Sequence, residues 1–148
     1  EFRAQIEAKR PQMEAMARER YGLEIDAGPF GIDSRLALRG AKFAEAQGAG
    51  AAYHDAVFRA YWQQARSVAD TTVLADIAVS LGLDRDKFLA ALAEEQWETA
   101  VAADIEQARA YGLSGVPALV FGKKYLVVGA QPLAALAEVV EKVMVEME

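Results

Sequence analysis

The feature that most constrains the fold of this chain is a corner at Ser114-Gly115-Val116-Pro117, which separates a long helical stretch from a short β region. Two apolar runs follow the corner, at 118–121 and 125–128, and three turn-forming residues, Gly-Lys-Lys, lie between them. Glycine allows backbone conformations that other residues avoid, and the residue before a proline, here Val116, favours an extended conformation. A proline also has no backbone N–H to donate to a neighbouring strand. The pattern therefore predicts a fixed corner that leads into a β-hairpin.

Upstream of the corner, apolar residues recur at helical spacing. Glycines that can end a helix and aspartates that can cap one separate these segments. We expect a helix to begin near Pro11 and end at Gly22, and Asp33 or Ser34 to cap the next one. Asp70 or Thr71, and then Asp84, are the corresponding caps further on. The predicted helical ranges after the first are 35–47, 53–65, a segment that Gly82 ends, a short helix with Phe88, Leu89 and Leu92, and 94–111.

Downstream of the hairpin, Gly129-Ala130-Gln131-Pro132 opens a last amphipathic helix. Gln131 or Pro132 is its expected first residue, since proline is well suited to the first turn of a helix. The spacing predicts that one apolar face is buried, and that face is formed by Leu133, Leu136, Val140 and Val143.

The order Gly-Val-Pro, hairpin, Gly-Ala-Gln-Pro and closing helix resembles the C-terminal part of the DsbA-like thioredoxin fold. The branch it resembles is that of the FrnE-type disulfide oxidoreductases, with 2-hydroxychromene-2-carboxylate isomerases as relatives. Two upstream segments, 58–62 (Phe-Arg-Ala-Tyr-Trp) and 74–88, are similar to the helical insertion of that branch. The resemblance covers roughly residues 32–143, and its sharpest motif lies between Gly115 and Pro132.

The resemblance implies a mostly helical chain with a small β-hairpin, α/β overall. Residues 1–113 would be the helical insertion, and residues 114–148 would be the final strand-strand-helix of the thioredoxin-like fold, packed as one compact unit. The family's first strand, Cys-x-x-Cys helix and second strand would precede Glu1, and this chain contains no cysteine. We therefore expect that the chain is cut and that its true N-terminus is missing.

Composition excludes several classes of function. A net charge of −6 disfavours nonspecific binding to nucleic acid and to anionic membranes, and no apolar run approaches the roughly 20 residues of a membrane span. The lack of cysteine excludes disulfides and thiolate metal sites, so no metal and no cofactor is predicted. With no signal-like opening either, a cytoplasmic location is the expectation.

The residues predicted to bind substrate are Gly115, Val116 and Pro117, which the resemblance places at the loop that faces the family's dithiol. There the Val116–Pro117 bond is expected to be cis, although cis occurs in only about 5–6% of such bonds in general. The backbone of Val116 would pair with an extended polypeptide as an added strand. No catalytic residue is predicted.

Other residue types with chemical potential have simpler interpretations. His54, the only histidine, has no second histidine or cysteine as a partner, so we interpret it as a solvent-facing helix residue. Asp84-Arg85-Asp86 begins like a calcium loop but places Phe88 where an oxygen ligand is needed, so it is interpreted as a helix cap. The aromatic residues Phe58, Tyr61, Trp62 and Trp97 are candidates for a substrate groove, and helical spacing favours a core role for them.

Three functions remain open for the chain. It is the substrate-binding and scaffold portion of a FrnE-type oxidoreductase, redox-inactive for want of cysteine; or a relative of glutathione-dependent isomerases and transferases; or a helical peptide-binding module without enzymatic activity. Whether the chain is itself an enzyme stays open. Because its two apolar strands have free edges unless something pairs with them, we also expect self-association through the hairpin edge.

Overall fold

The computed structural model describes the backbone of residues 2–147 and the side chains of residues 4–146. The fold is mostly helical with one antiparallel hairpin, which confirms the predicted fold class. Its elements are α1 (Phe2–Tyr21), α2 (Arg35–Ala46), α3 (Gly50–Gln63), α4 (Thr71–Ser80), α5 (Arg85–Ala91), α6 (Glu95–Ala110), β1 (Ala118–Phe121), β2 (Tyr125–Val128) and α7 (Leu133–Met147). None of the described helices is both long and apolar enough to cross a membrane.

Aspartate side chains fix the starts of three helices. The carboxylate of Asp70 accepts a hydrogen bond from the backbone N–H of Thr72 at 2.8 Å, and Asp84 accepts one from Lys87 at 2.8 Å. Both residues were predicted as helix caps, and the structure shows both in that role. At α2 the carboxylate of Asp33 accepts from the backbone of Arg35, while the side chain of Ser34 makes no capping bond.

Two predicted helix starts are wrong. Helix α1 runs through Pro11 instead of beginning near it. A proline inside a helix removes one backbone hydrogen bond, but the alanine, glutamate, lysine, arginine and methionine around it are strong helix formers. Helix α3 begins at Gly50, ahead of the expected start at Tyr53, because the turn after α2 is already complete at Gly48 (φ 76°).

The residues up to Val101 form one compact unit, whose core lies between α2, α3, α4 and α5. Phe88 is at its centre, fully buried, with ring centroids 5.9 Å from Phe43 and 5.7 Å from Tyr53. One face of α4 contributes to this core, since Leu74 and Ile77 are buried. The core cluster consists of Ala37, Ala41, Ala44, Tyr53, Ala60, Val68, Leu74, Ala75, Ile77, Ala78, Phe88 and Leu92.

The residues from Ala102 onward form a second unit with the hairpin and α7. Strands β1 and β2 pair in the register Ala118↔Val128 to Phe121↔Tyr125. None of the described side chains between 102 and 146 is fully buried. The unit boundary falls within α6, and the division at residue 113 stays a prediction about the family's domain organisation.

The prediction of the buried face of α7 is correct for only two of its four residues. Leu136 and Val143 are half-buried, whereas Leu133 is 82% exposed and Val140 is 42% exposed. Leu133 is the first residue of the helix, and a helical side chain points back toward the N-terminus. Its side chain therefore projects beyond the start of α7.

Candidate functional site

The corner before β1 has an unusual backbone. The peptide bond between Val116 and Pro117 is cis, as the resemblance predicts. The carbonyl of Pro117 accepts a hydrogen bond from the backbone N–H of Gly129 at 2.8 Å, which closes the base of the hairpin. A Cβ atom placed on Gly115 would have no other atom within 4 Å. The corner is therefore open to solvent.

Val116 presents unused hydrogen-bonding groups at this corner. The residue is 94% exposed, and neither its backbone N–H nor its carbonyl has a hydrogen-bond partner in the part of the chain that the structure describes. Each unpaired backbone group is a strong donor or acceptor. The arrangement can accept a partner segment in an extended conformation.

Strand β1 continues this row of unpaired groups. It pairs with β2 on one side only, so among the described residues its other edge carries free backbone donors and acceptors. The Gln131 amide donates to the carbonyl of Val128 at 2.9 Å, a contact at the far end of β2 from the turn. The free edge of β1 and the groups of Val116 together form what we call the corner edge, residues 116–121.

The tip of the hairpin is held to the end of α7. Glu146 forms an ion pair with Lys124 at 2.6 Å and accepts a hydrogen bond from the Tyr125 hydroxyl. The hydrogen bond from Lys124 has the larger effect on the Glu146 carboxyl and the one from Tyr125 the next, and both lower its pKa. The ammonium of Lys142 lies 4.8 Å from the centroid of the Tyr125 ring. The contacts orient the hairpin on its helix and leave the corner edge free.

The unit up to Val101, which we call the helical unit, contains a second candidate site, a half-open cavity of about 340 Å³ between α2 and α3. We call it the aromatic cavity. It is lined by Ile32, Ser34, Ala37, Leu38, Ala41, Tyr53, His54, Val57, Phe58, Tyr61, Trp62 and Val68.

Three of the four aromatic residues singled out in the sequence line this cavity. Phe58 is 62% exposed and Trp62 is 39% exposed, so the prediction that they belong to the core is wrong. The rings of Tyr61 and Trp62 meet edge to face at 5.0 Å, and the Tyr61 hydroxyl donates to the carbonyl of Pro29 at 3.2 Å. Trp97 is elsewhere and packs edge-on against Phe43 at 5.8 Å.

The polar groups of the cavity are few. His54 is about half exposed, as predicted, and its Nε2 lies 3.3 Å from the Glu45 carboxylate. The hydroxyl of Tyr53 is buried and has no hydrogen-bond partner among the described residues, and burial raises the pKa of this phenol. Ser34 has a hydroxyl that capping does not use. Sequence periodicity could not identify this site, because α2 supplies mainly small side chains to it.

The remaining charged groups support structure rather than chemistry. Glu98 accepts hydrogen bonds from Arg35, one of them at 2.9 Å, and these hold the pKa of its carboxyl below the usual value. Arg39 approaches the same carboxylate at 3.5 Å. Within the described residues, no group of three acidic or histidine side chains is placed to bind a metal. Neither candidate site contains a thiol, since the chain has no cysteine.

Solved structures similar to this chain share its fold. A probable DsbA oxidoreductase from Streptomyces coelicolor is 29% identical with a TM-score of 0.81, and the match covers 97% of this chain and 62% of that one. A 2-hydroxychromene-2-carboxylate isomerase is 21% identical with a TM-score of 0.81, covering 97% and 69%. A candidate protein disulfide isomerase from Nitrosomonas europaea is 21% identical with a TM-score of 0.74, covering 96% and 75%.

The chain therefore spans less than two thirds of the length of the Streptomyces protein. A comparison with curated proteins gives no significant match. The family model of the DSBA-like thioredoxin domain matches residues 4–141, nearly the whole chain, and it includes both the corner and the helical unit. The chain belongs to the DSBA-like thioredoxin domain family.

Proposed function

We propose that this chain is the substrate-binding and scaffold portion of a FrnE-type thiol–disulfide oxidoreductase. The observation that carries the proposal is the state of Val116, a residue that is 94% exposed beside the free edge of β1 and whose backbone groups are unpaired. An extended polypeptide that adds to a sheet edge uses main-chain hydrogen bonds of this kind. Gly115, Val116 and Pro117 are the proposed binding residues.

The thiol chemistry has to come from outside the 148 residues. Disulfide exchange needs a thiolate that attacks a disulfide sulfur, and a methionine thioether cannot replace it. The family membership and the Streptomyces oxidoreductase support this class of reaction for a longer protein. In such a protein this chain would hold the substrate while a cysteine pair of another segment reacts.

The first expected result is that the isolated chain neither reduces nor forms disulfides, because it has no cysteine. An insulin-reduction assay and a peptide-oxidation assay measure both directions. Turnover above the buffer control by the purified chain would contradict the proposal that it lacks redox activity of its own.

The second expected result concerns substrate contact at the corner. With the photo-crosslinker benzoylphenylalanine in place of Val116, the chain should capture reduced, carboxamidomethylated α-lactalbumin, a permanently unfolded polypeptide. The matched control carries the same crosslinker at Leu133, which lies in the same unit and is 82% exposed. We expect at least fivefold more crosslinked product at Val116, and equal yields at both positions would contradict the proposal.

A second candidate function is a peptide-binding module that performs no reaction, and the absence of cysteine favours it. Both candidates use Val116, so the crosslinking result is expected for either. They differ in the behaviour of a longer form of the protein. A form that includes a Cys-x-x-Cys segment should reduce insulin if the oxidoreductase proposal is right.

A further inference from the structure

An open groove of about 700 Å³ lies between α1, the segment that follows it and α3. Its apolar lining consists of Met13, Leu23, Ile25, Phe58 and Trp62, and we call it the α1–α3 groove. We propose that this groove binds an extended segment of another polypeptide that carries apolar residues together with lysine or arginine. All its residues lie in the helical unit, so the proposal goes beyond the function proposed for the corner edge.

The backbone on one side of the groove has unused hydrogen-bonding groups. The N–H of Asp26 donates to the carbonyl of Trp62 at 2.8 Å, and the carbonyl of Asp26 accepts from the N–H of Ala65 at 2.8 Å. By contrast, neither the N–H nor the carbonyl of Ile25 has a hydrogen-bond partner among the described residues. Ile25 therefore offers one donor and one acceptor to a partner chain, and main-chain bonds of this kind hold an added extended peptide.

The side chains of the groove favour apolar residues in the partner. Leu23 is 46% exposed, Phe58 is 62% exposed and Trp62 is 39% exposed, and all three line this one groove. Burial of these side chains by a partner would remove apolar surface from water. Large apolar side chains that are exposed together around a concave surface are typical of an interaction site.

The charges beside the groove favour a basic partner. Glu24 forms an ion pair with Arg18 at 2.7 Å, and Asp55 forms one with Arg59 at 3.0 Å. Asp26 is exposed and forms no ion pair in the described part of the chain, so its charge is the one left uncompensated. A lysine or arginine on the partner segment would pair with this carboxylate, because opposite charges on neighbouring extended chains attract. The net charge of −6 acts in the same direction.

The test uses a synthetic seven-residue peptide, capped at both ends, in which leucine alternates with lysine and threonine. Isothermal titration calorimetry gives the affinity, and the indole N–H signals of the two tryptophans report the place of binding by NMR. We expect saturable binding that shifts the signal of Trp62 and leaves that of Trp97 unchanged. A peptide with glutamate in place of lysine should bind at least fivefold more weakly. Binding without a shift at Trp62, or tighter binding of the glutamate peptide, would overturn the proposal.

Backbone methylation of the peptide tests the extended conformation without changing the protein. Two versions carry methyl groups on alternate backbone nitrogens, one on the odd and one on the even positions. Because only one set of N–H groups can face Ile25, one version should bind at least tenfold more weakly and the other within twofold of the parent peptide. Equal loss in both versions would indicate a bound helix, and no loss in either would indicate side-chain contacts alone. Each of these results would overturn the proposal.

Variants separate the groove from the aromatic cavity, because Phe58 and Trp62 line both. Leu23 lines only the groove and Leu38 only the cavity, and the two are similarly exposed at 46% and 42%. Leu23→Ser should weaken peptide binding at least fivefold, whereas Leu38→Ser should leave it within twofold. The opposite pattern would place the peptide in the aromatic cavity and overturn the assignment.

Asp26→Asn tests the charge contact separately. It should weaken the lysine peptide about threefold and leave a peptide with threonine in place of lysine unchanged. An equal effect on both peptides would contradict the role of the Asp26 carboxylate.

A second copy of the chain is the remaining alternative occupant. With benzoylphenylalanine in place of Phe58, irradiation should link the chain to the peptide and not to another copy of itself. A product of two linked chains that the peptide does not suppress would assign the groove to self-association and overturn the proposal. Crosslinking at Val116 tests the corner edge and these experiments test the groove, so the two proposals can fail separately.

Discussion

Replacing Gly40 with alanine is expected to lower the free energy of unfolding by about 2 kcal/mol, although glycine to alanine normally stabilises a helix by roughly 0.5–1 kcal/mol. A Cβ atom at this position of α2 would overlap the Tyr53 hydroxyl and lie 2.8 Å from Cζ of Phe88. Both rings are fully buried and cannot swing away. Overpacking of this kind costs about 1–3 kcal/mol. Urea denaturation measures the change.

The Tyr53→Phe variant is the matched control for the Gly40 experiment. The hydroxyl has no hydrogen-bond partner among the described residues, so its removal alone should raise the free energy of unfolding by about 1 kcal/mol. In the double variant the nearest contact of the new Cβ is gone, and the two changes should couple by at least about 1 kcal/mol. The contact with Phe88 remains, so the rescue is partial.

Two outcomes would contradict this account of the core. A Gly40→Ala protein as stable as the unchanged chain would show that the rings can adjust at no cost. A Tyr53→Phe protein that is less stable by 1 kcal/mol or more would show that the hydroxyl is hydrogen-bonded, through a buried water for example.

The second large effect is expected in the oligomeric state, where we propose that two copies of the chain pair through the corner edge. An isolated two-stranded hairpin is marginally stable, and none of the described side chains of its unit is fully buried. Free strand edges are templates for pairing, and the groups of Val116 lengthen the edge of β1. Light scattering at high micromolar concentration should therefore give the mass of a dimer or larger species.

Lysine substitutions identify the surface that associates. Leu119 on β1 and Leu126 on β2 are 42% and 40% exposed, so they form a matched pair on the two strands. Leu119→Lys should shift the mass toward the monomer, because the charge then lies on β1, the strand whose free edge is proposed to pair. Leu126→Lys should have a smaller effect. A monomeric unchanged chain would contradict self-association, and dissociation only by Met144→Lys would assign it to the exposed face of α7.

The same edge is proposed to receive the polypeptide substrate, so the two events should compete. Leu119→Lys should then reduce both the dimer and the crosslinking at Val116. The competition links the two proposals without making either depend on the other, since each has its own measurement.

Much of the fold could be predicted from the sequence because local chemistry determines it. Asp70 and Asp84 mark helix starts through their own side-chain hydrogen bonds, and the corner and hairpin follow from Gly115 and Pro117. The prediction failed at Pro11, where the strong helix preference of the flanking residues outweighs one proline. Element type was therefore more predictable than element boundaries.

The candidate sites were less predictable, for different reasons. The motif indicates a backbone role for Val116 but not the exposure of its side chain, and its substrate contact stays a prediction. The aromatic cavity depends on which way Phe58 and Trp62 turn from α3, and helical spacing cannot distinguish a side chain that fills a core from one that lines a hollow. The hollow exists because α2 presents Ala37 and Ala41 there instead of larger residues. That is a property of packing between two helices.

The unequal burial of the two units has a consequence for the lifetime of the protein. All fully buried side chains in the described part of the chain lie at or before Val101, so most of the cooperative unfolding free energy belongs to the helical unit. Segments with little burial open locally while the rest stays folded. A protease would thus find cleavable bonds around the hairpin and α7 while the core of the helical unit stays folded. Trimming there would leave a helical remnant that has lost the corner edge and retains the aromatic cavity.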